Sequence, residues 1–168
     1  MLRTIAYFKS TASAEIMKSA IEQCNRILCL DFGMALCLNY FPDLLMIAKN
    51  GSNEVIGLSI LHYAESSKAW EVGTVSALKS YNKEDVIETL IQGACDAIRV
   101  LQKYHKTKHM WIVRRVKLHD VKQKALFKRL GFDHPENWME NLLSDSGYIP
   151  FDPFDTALMK MAVCDDQA

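Results

Sequence analysis

The chain has 168 residues, 49% of them hydrophobic, which suits one folded domain over residues 1–168 and excludes a disordered chain. Twenty Lys and Arg balance twenty Asp and Glu, so the net charge is zero and gives no general attraction for nucleic acid. The opening MLRTIAYFKS lacks an apolar core of signal-peptide length. The longest apolar stretch, Ile27–Leu38, is interrupted by Asp31 and is too short to span a bilayer. Five cysteines without C-x-x-C spacing point to a reduced, cytoplasmic protein, with Cys24 and Cys95 as small buried thiols on apolar helical faces.

Thr4–Phe8 reads as a first strand. Ser13 caps a predicted helix with Ile16, Met17, Ala20, Ile21, Cys24, Ile27 and Leu28 on one face, broken by Asp31 and Gly33. Leu44–Ala48 and Glu54–Tyr63 are strands joined through Asn50-Gly51-Ser52-Asn53, a hairpin signal. A polar turn over Glu65–Lys68 leads to a fourth strand, Trp70–Leu78. Asn82 then starts a long helix whose apolar stripe is Val86, Ile87, Leu90, Ile91, Ala94, Ala97, Ile98 and Leu101.

A strand at 110–116 is followed by a helix at 120–130, with Asp120 as its N-cap and Val121, Ala125, Leu126 and Leu130 at helical spacing. Gly131 fits a left-handed C-cap. Pro135–Leu143 reads as another helix, and Thr156–Val163 as a last strand. The order predicts an α/β domain around a mixed, mostly antiparallel sheet flanked by helices.

The segment Ala125-Leu126-Phe127-x-x-Leu130-Gly131-Phe132, after an apolar strand, resembles the last helix of the GNAT acyltransferase superfamily, whose usual form is N-x-x-A-x-x-L-Y-x-x-x-G-F. The likeness runs from about Leu44 to Phe132. It implies acyl-CoA-dependent N-acyl transfer to a small-molecule or peptide amine, with acetyl-CoA or another acyl-CoA as co-substrate. By the resemblance, the backbone of Val75, Ser76 and Ala77 pairs with the pantetheine arm. The pyrophosphate then faces the loop and helix start at Asn82, Lys83, Asp85, Val86 and Ile87. Glu71, eleven positions before Asn82, stands where the histone-acetyltransferase branch has its general base.

Two departures bear on activity. The phosphate-loop pattern R/Q-x-x-G-x-G/A falls on Asn82–Ile87, where Asp85 and Ile87 replace the glycines. A Cβ at each crowds a diphosphate, and Asn82-x-x-Asp85 is itself a capping pattern for the same N–H donors. The position of the family's acidic tyrosine is Phe127, which cannot donate a proton. The rival reading is therefore a non-catalytic GNAT-like module for a protein partner or homodimer. For Glu71 the plain alternative is a solvated or ion-paired strand residue.

Ten of the twenty basic residues lie between Lys103 and Arg129 with Asp120 as the sole acid there, a band that reads as a solvated face before a nucleic-acid surface. His105 and His109 are four apart with no third ligand at zinc spacing, so no metal site is expected. Trp138, Tyr148, Phe151 and Phe154 mark the 135–154 insertion as a loop pinned by aromatics or a partner surface.

Overall fold

The computed structural model describes residues 1–32, 42–65, 68–105, 111–117, 119–133 and 156–162. The elements are β1 (Arg3–Phe8), α1 (Ala14–Phe32), β2 (Leu44–Lys49), β3 (Val55–Ala64), β4 (Ala69–Ala77), α2 (Lys83–His105), β5 (Trp111–Lys117), α3 (Val121–Arg129) and β6 (Thr156–Ala162). The expected helix at Pro135–Leu143, the four aromatics of that insertion and His109 lie outside the described residues. No described helix is long and apolar enough to cross a membrane.

Six strands form a sheet in sequence order. β1–β2, β2–β3 and β5–β6 pair antiparallel, whereas β4 and β5 are parallel. This is a mixed, mostly antiparallel α/β sheet flanked by helices. The residues fall into two compact units, Met1–His62 with Gly73–Ala97, and Tyr63–Val72 with Ile98–Ala168.

In the first unit, α1 begins where the Ser13 hydroxyl accepts the Ile16 N–H at 3.2 Å. Met17, Ala20, Ile21, Cys24 and Ile27 then pack on Leu45, Ile47, Leu58 and Ile60. Ile16 was expected on that face but is 52% exposed, because it falls at the margin of the stripe in the first helical turn. Burial pushes the Cys24 thiol up to about 12 against the opposing pull of Lys49, so it carries no reactive thiolate.

The opposite face of β2 and β3 receives α2. A Cβ on Gly57 would lie 2.4 Å from Val86 Cγ1, and one on Gly93 would lie 2.5 Å from Thr4 Oγ1. These two glycines set how closely the helix approaches the strands.

The turn between β2 and β3 differs from a two-residue Asn-Gly hairpin. Its positive φ, 66°, falls on Asn53. Asn50 Oδ1 accepts the N–H groups of Ser52 and Glu54, at 3.0 and 2.9 Å, so a side chain organises the reversal. The register slips beside it, with Ala48 opposite Gly57 and Lys49 opposite Val55.

In the second unit, α3 is capped by Asp120, whose carboxylate accepts the Gln123 N–H at 3.0 Å. The helix closes with Phe132 N–H to Phe127 O and Gly131 N–H to Lys128 O, the double bond of a Schellman motif, with Gly131 at φ 96°. Phe127 and Phe132 meet edge to face at 5.1 Å. The buried residues of α3 are Leu126 and Phe127, and Val121, expected in the stripe, is 73% exposed. In so short a helix the final Phe–Phe contact, formed through the cap, decides which side is inward.

Candidate functional site

Val75, Ser76 and Ala77 are buried on β4. Among the described residues, parallel pairing with β5 runs from Ala69↔Trp111 to Val72↔Arg114, and β4 continues beyond it to Ala77. Leu78 N–H, just past the strand, donates to Ile56 O at 2.8 Å. Tyr81 follows, its hydroxyl held at 2.8 Å by Asn50 Nδ2, so the β2–β3 turn braces the approach to α2.

At the start of α2, Asn82 Oδ1 accepts the Glu84 N–H at 3.1 Å, and Val86 N–H bonds the Asn82 carbonyl at 3.2 Å. Asn82, Lys83, Glu84 and Asp85 are exposed. The Asn82-x-x-Asp85 pattern thus forms half of a capping box: the Asn82 arm is made, and Asp85 is left facing solvent. Val86 and Ile87 are buried. Their bulk goes into the core, which weakens the steric objection to Ile87 at a glycine position, while the Cβ and the charge of Asp85 remain at the surface. First-turn N–H groups have no partner within the helix, and an exposed Lys83 beside them favours an anion while Glu84 and Asp85 oppose it.

Glu71 is neither solvated nor at a free edge. It is 5% exposed, and its Oε1 accepts Arg115 Nε at 2.9 Å. Arg114 Nη1 donates to Val72 O at 3.0 Å, and its guanidinium lies 5.7 Å from the centre of the Phe127 ring. Burial raises the Glu71 carboxyl above its ordinary range, opposed by the charge and hydrogen bond of Arg115 and by Arg114. Burial likewise brings Arg114 down to about 10, against the pull of Glu71 and Asp120. The basic band is therefore not wholly a solvated face. β5 turns two of its arginines inward because Glu71 and the Val72 carbonyl need donors there.

Phe127, at the tyrosine position, is fully buried against Phe132. It is a core residue with no proton to give. A surface cavity of about 590 Å³ is lined by Lys117, His119, Asp120, Val121 and Lys122, and includes none of the residues singled out on β4 or α2. Among the described residues, no group of three His, Cys, Asp or Glu is placed to hold a metal ion.

No protein-family model matches the chain, and no curated protein matches it. Solved structures do. An N-acetyltransferase from Staphylococcus aureus Mu50 aligns at 9% identity over 98% of this chain and 99% of its own, with a TM-score of 0.63. A ribosomal-protein-S18-alanine N-acetyltransferase from Escherichia coli aligns at 11% over 100% and 99%, TM-score 0.59. A GNAT-family N-acetyltransferase from Escherichia coli, solved in complex with CoA, aligns at 15% over 99% and 84%, TM-score 0.59. The chain has the GNAT fold. At these identities the likeness is one of fold, and GNAT chemistry has to be argued from the side chains present.

Sequence reasoning singled out neither Arg115, as the partner of Glu71, nor Asp43 with His62, whose Nδ1 and Oδ2 lie 4.0 Å apart. No local motif marks these residues, because each pair is made by strands brought together in the fold.

Proposed function

We propose that the chain transfers an acyl group from an acyl-CoA to an amine. The observation that carries this reading is a GNAT sheet in which β4 leads into a helix start held by one side-chain cap, with Val86 and Ile87 turned inward. Val75–Ala77 would hold the pantetheine arm through their backbone. The first turn of α2, with Lys83, would hold the pyrophosphate. The acyl-CoA supplies the activated thioester, and the chain's own residues bind it and orient the amine.

In this reading Glu71 serves as an ionic strut between β4 and β5, since one of its oxygens is committed to Arg115 and the side chain is buried. Acetyl-CoA should raise the melting temperature, because a ligand selective for the folded state stabilises it by mass action. Asp85→Gly should tighten acetyl-CoA binding in calorimetry by removing a charge from the first turn. Equal or weaker affinity would place the phosphates elsewhere.

The second reading, a GNAT-like interaction module without CoA chemistry, is favoured by the exposed Glu84 and Asp85 and by Phe127 in place of a proton donor. It is the better account if millimolar acetyl-CoA leaves the melting temperature unchanged.

A further inference from the structure

Asn50-Gly51 is the one Asn-Gly pair in the sequence, and it opens the reversal between β2 and β3. A side-chain amide followed by glycine is prone to cyclise, because no Cβ shields the next backbone nitrogen. Neither space nor backbone calls for glycine at this position. A Cβ on Gly51 would meet nothing within 4 Å, and the positive φ of the turn falls on Asn53.

Four hydrogen bonds hold the Asn50 amide away from that reaction. Its Oδ1 accepts the N–H groups of Ser52 and Glu54 at 3.0 and 2.9 Å. Its Nδ2 donates to the Tyr81 hydroxyl at 2.8 Å and to Glu54 Oε2 at 2.9 Å. The main chain adds two more bonds, Asn53 N–H to Asn50 O and Asn50 N–H to Glu54 O, both 3.0 Å. Ring closure requires Cγ to leave its partners and swing onto the Gly51 nitrogen. The turn must therefore open first, on a side where Gly51, Ser52 and Asn53 are all exposed to solvent.

We propose that Asn50 is a latent deamidation site, locked in the closed turn and released when its contacts to Tyr81 and Glu54 break. In the open turn, base from solvent takes the proton of the Gly51 amide. The Gly51 nitrogen forms a bond to Asn50 Cγ, and the Cγ–Nδ2 bond breaks. Nδ2 leaves as ammonia, regaining through solvent the proton that Gly51 lost. Water then opens the five-membered imide at either carbonyl, giving aspartate or isoaspartate, with no oxidation or reduction. Aspartate puts a carboxylate where an N–H donor met Glu54. Isoaspartate adds one carbon to the main chain, beside the register slip at Ala48 and Lys49. Neither product restores the four bonds, so the change runs one way.

The test follows Asn50 by peptide mass spectrometry at mildly alkaline pH, in the folded chain and in the same chain unfolded by guanidinium chloride. Exchange of the amide NH₂ for OH gives the mass gain, and chromatography separates the aspartyl and isoaspartyl peptides. The unfolded chain should deamidate at Asn50 ahead of every other Asn, and folding should slow the reaction by roughly tenfold or more. Tyr81→Phe and Glu54→Ala should each speed the folded rate by about 2–10-fold, the worth of one hydrogen bond, and leave the unfolded rate unchanged. Gly51→Ala should slow the reaction in the unfolded chain. Gly131→Ala, a change in the second unit, should leave the folded rate as in the wild type. Equal rates in folded and unfolded chains overturn the proposal, as does a folded rate that neither Tyr81→Phe nor Glu54→Ala raises. A rise in Gly131→Ala equal to that in Tyr81→Phe makes global unfolding the route and also overturns it.

Discussion

Glu71 on β4 and Arg115 on β5 form a buried ion pair in which each partner keeps one polar atom without a hydrogen bond, Oε2 of the glutamate and Nη2 of the arginine. The register explains the reach. Glu71 stands opposite Val113, so Arg115 is the next β5 residue on the same face and must lean back one pleat to deliver Nε. Neither side chain is more than 8% exposed, so solvent screens the pair little.

Removing one partner of such a pair strands the other. Glu71→Gln should destabilise the fold by about 3–5 kcal/mol in urea denaturation, and pairing Glu71→Met with Arg115→Met should recover much of the loss. A variant that melts like the wild type but loses turnover a hundredfold would restore Glu71 as the base.

Gly57 is the close-approach point for α2. Ala there would press on Val86 Cγ1 and on the Ser76 carbonyl oxygen, the latter at 3.1 Å, and neither can yield freely. We expect Gly57→Ala to cost about 1–3 kcal/mol, the usual range for overpacking, and Val86→Ala in the same chain to relieve it. Because Val86 sits in the first turn of α2, acetyl-CoA affinity measured by calorimetry should fall alongside stability.

At the end of α3, Gly131 holds φ 96° so that Phe132 can bond the Phe127 carbonyl and lay its ring against Phe127. Gly131→Ala should cost about 1–2 kcal/mol from the left-handed backbone alone. The expected signature is a lower urea midpoint with an unchanged m-value.

His62 makes stability depend on acid. Its folded pKa lies below the ordinary 6.5 because burial outweighs the attraction of Asp43, with Lys9 adding to the depression. Between the folded pKa and 6.5 the unfolded chain binds more protons, so this group's share of stability is full above 6.5 and is lost as pH falls through the folded value. Melting temperature followed from pH 8 to 5 should show this decline. His62→Gln should flatten it, and Asp43→Asn should steepen it by depressing the folded pKa further.

Much of the fold was legible because its signals are local. Ser13, Asp120 and Gly131 act within a few residues of themselves, and each cap forms where the sequence places it. The strands and the stripe of α2 follow from period alone. Ile16 and Val121 were misplaced because a first-turn residue satisfies the apolar spacing whether or not a strand lies beneath it. The Glu71–Arg115 pair spans 44 positions and depends on the parallel register of β4 with β5, which no window of sequence contains. The same holds for His62 with Asp43, brought within 4.0 Å by the fold.

Asn50 has a consequence for which changes this chain can tolerate. Its amide accepts twice, from the Ser52 and Glu54 N–H groups, and donates twice, to the Tyr81 hydroxyl and the Glu54 carboxylate. A single side chain therefore spends both halves of its chemistry at once. Aspartate keeps the acceptor and loses both donations, placing a second carboxylate against Glu54. Leucine keeps neither. The reversal between β2 and β3 and the approach to α2 consequently cannot vary independently, and a hydrolysed Asn50 amide would be felt at Tyr81, 31 positions away.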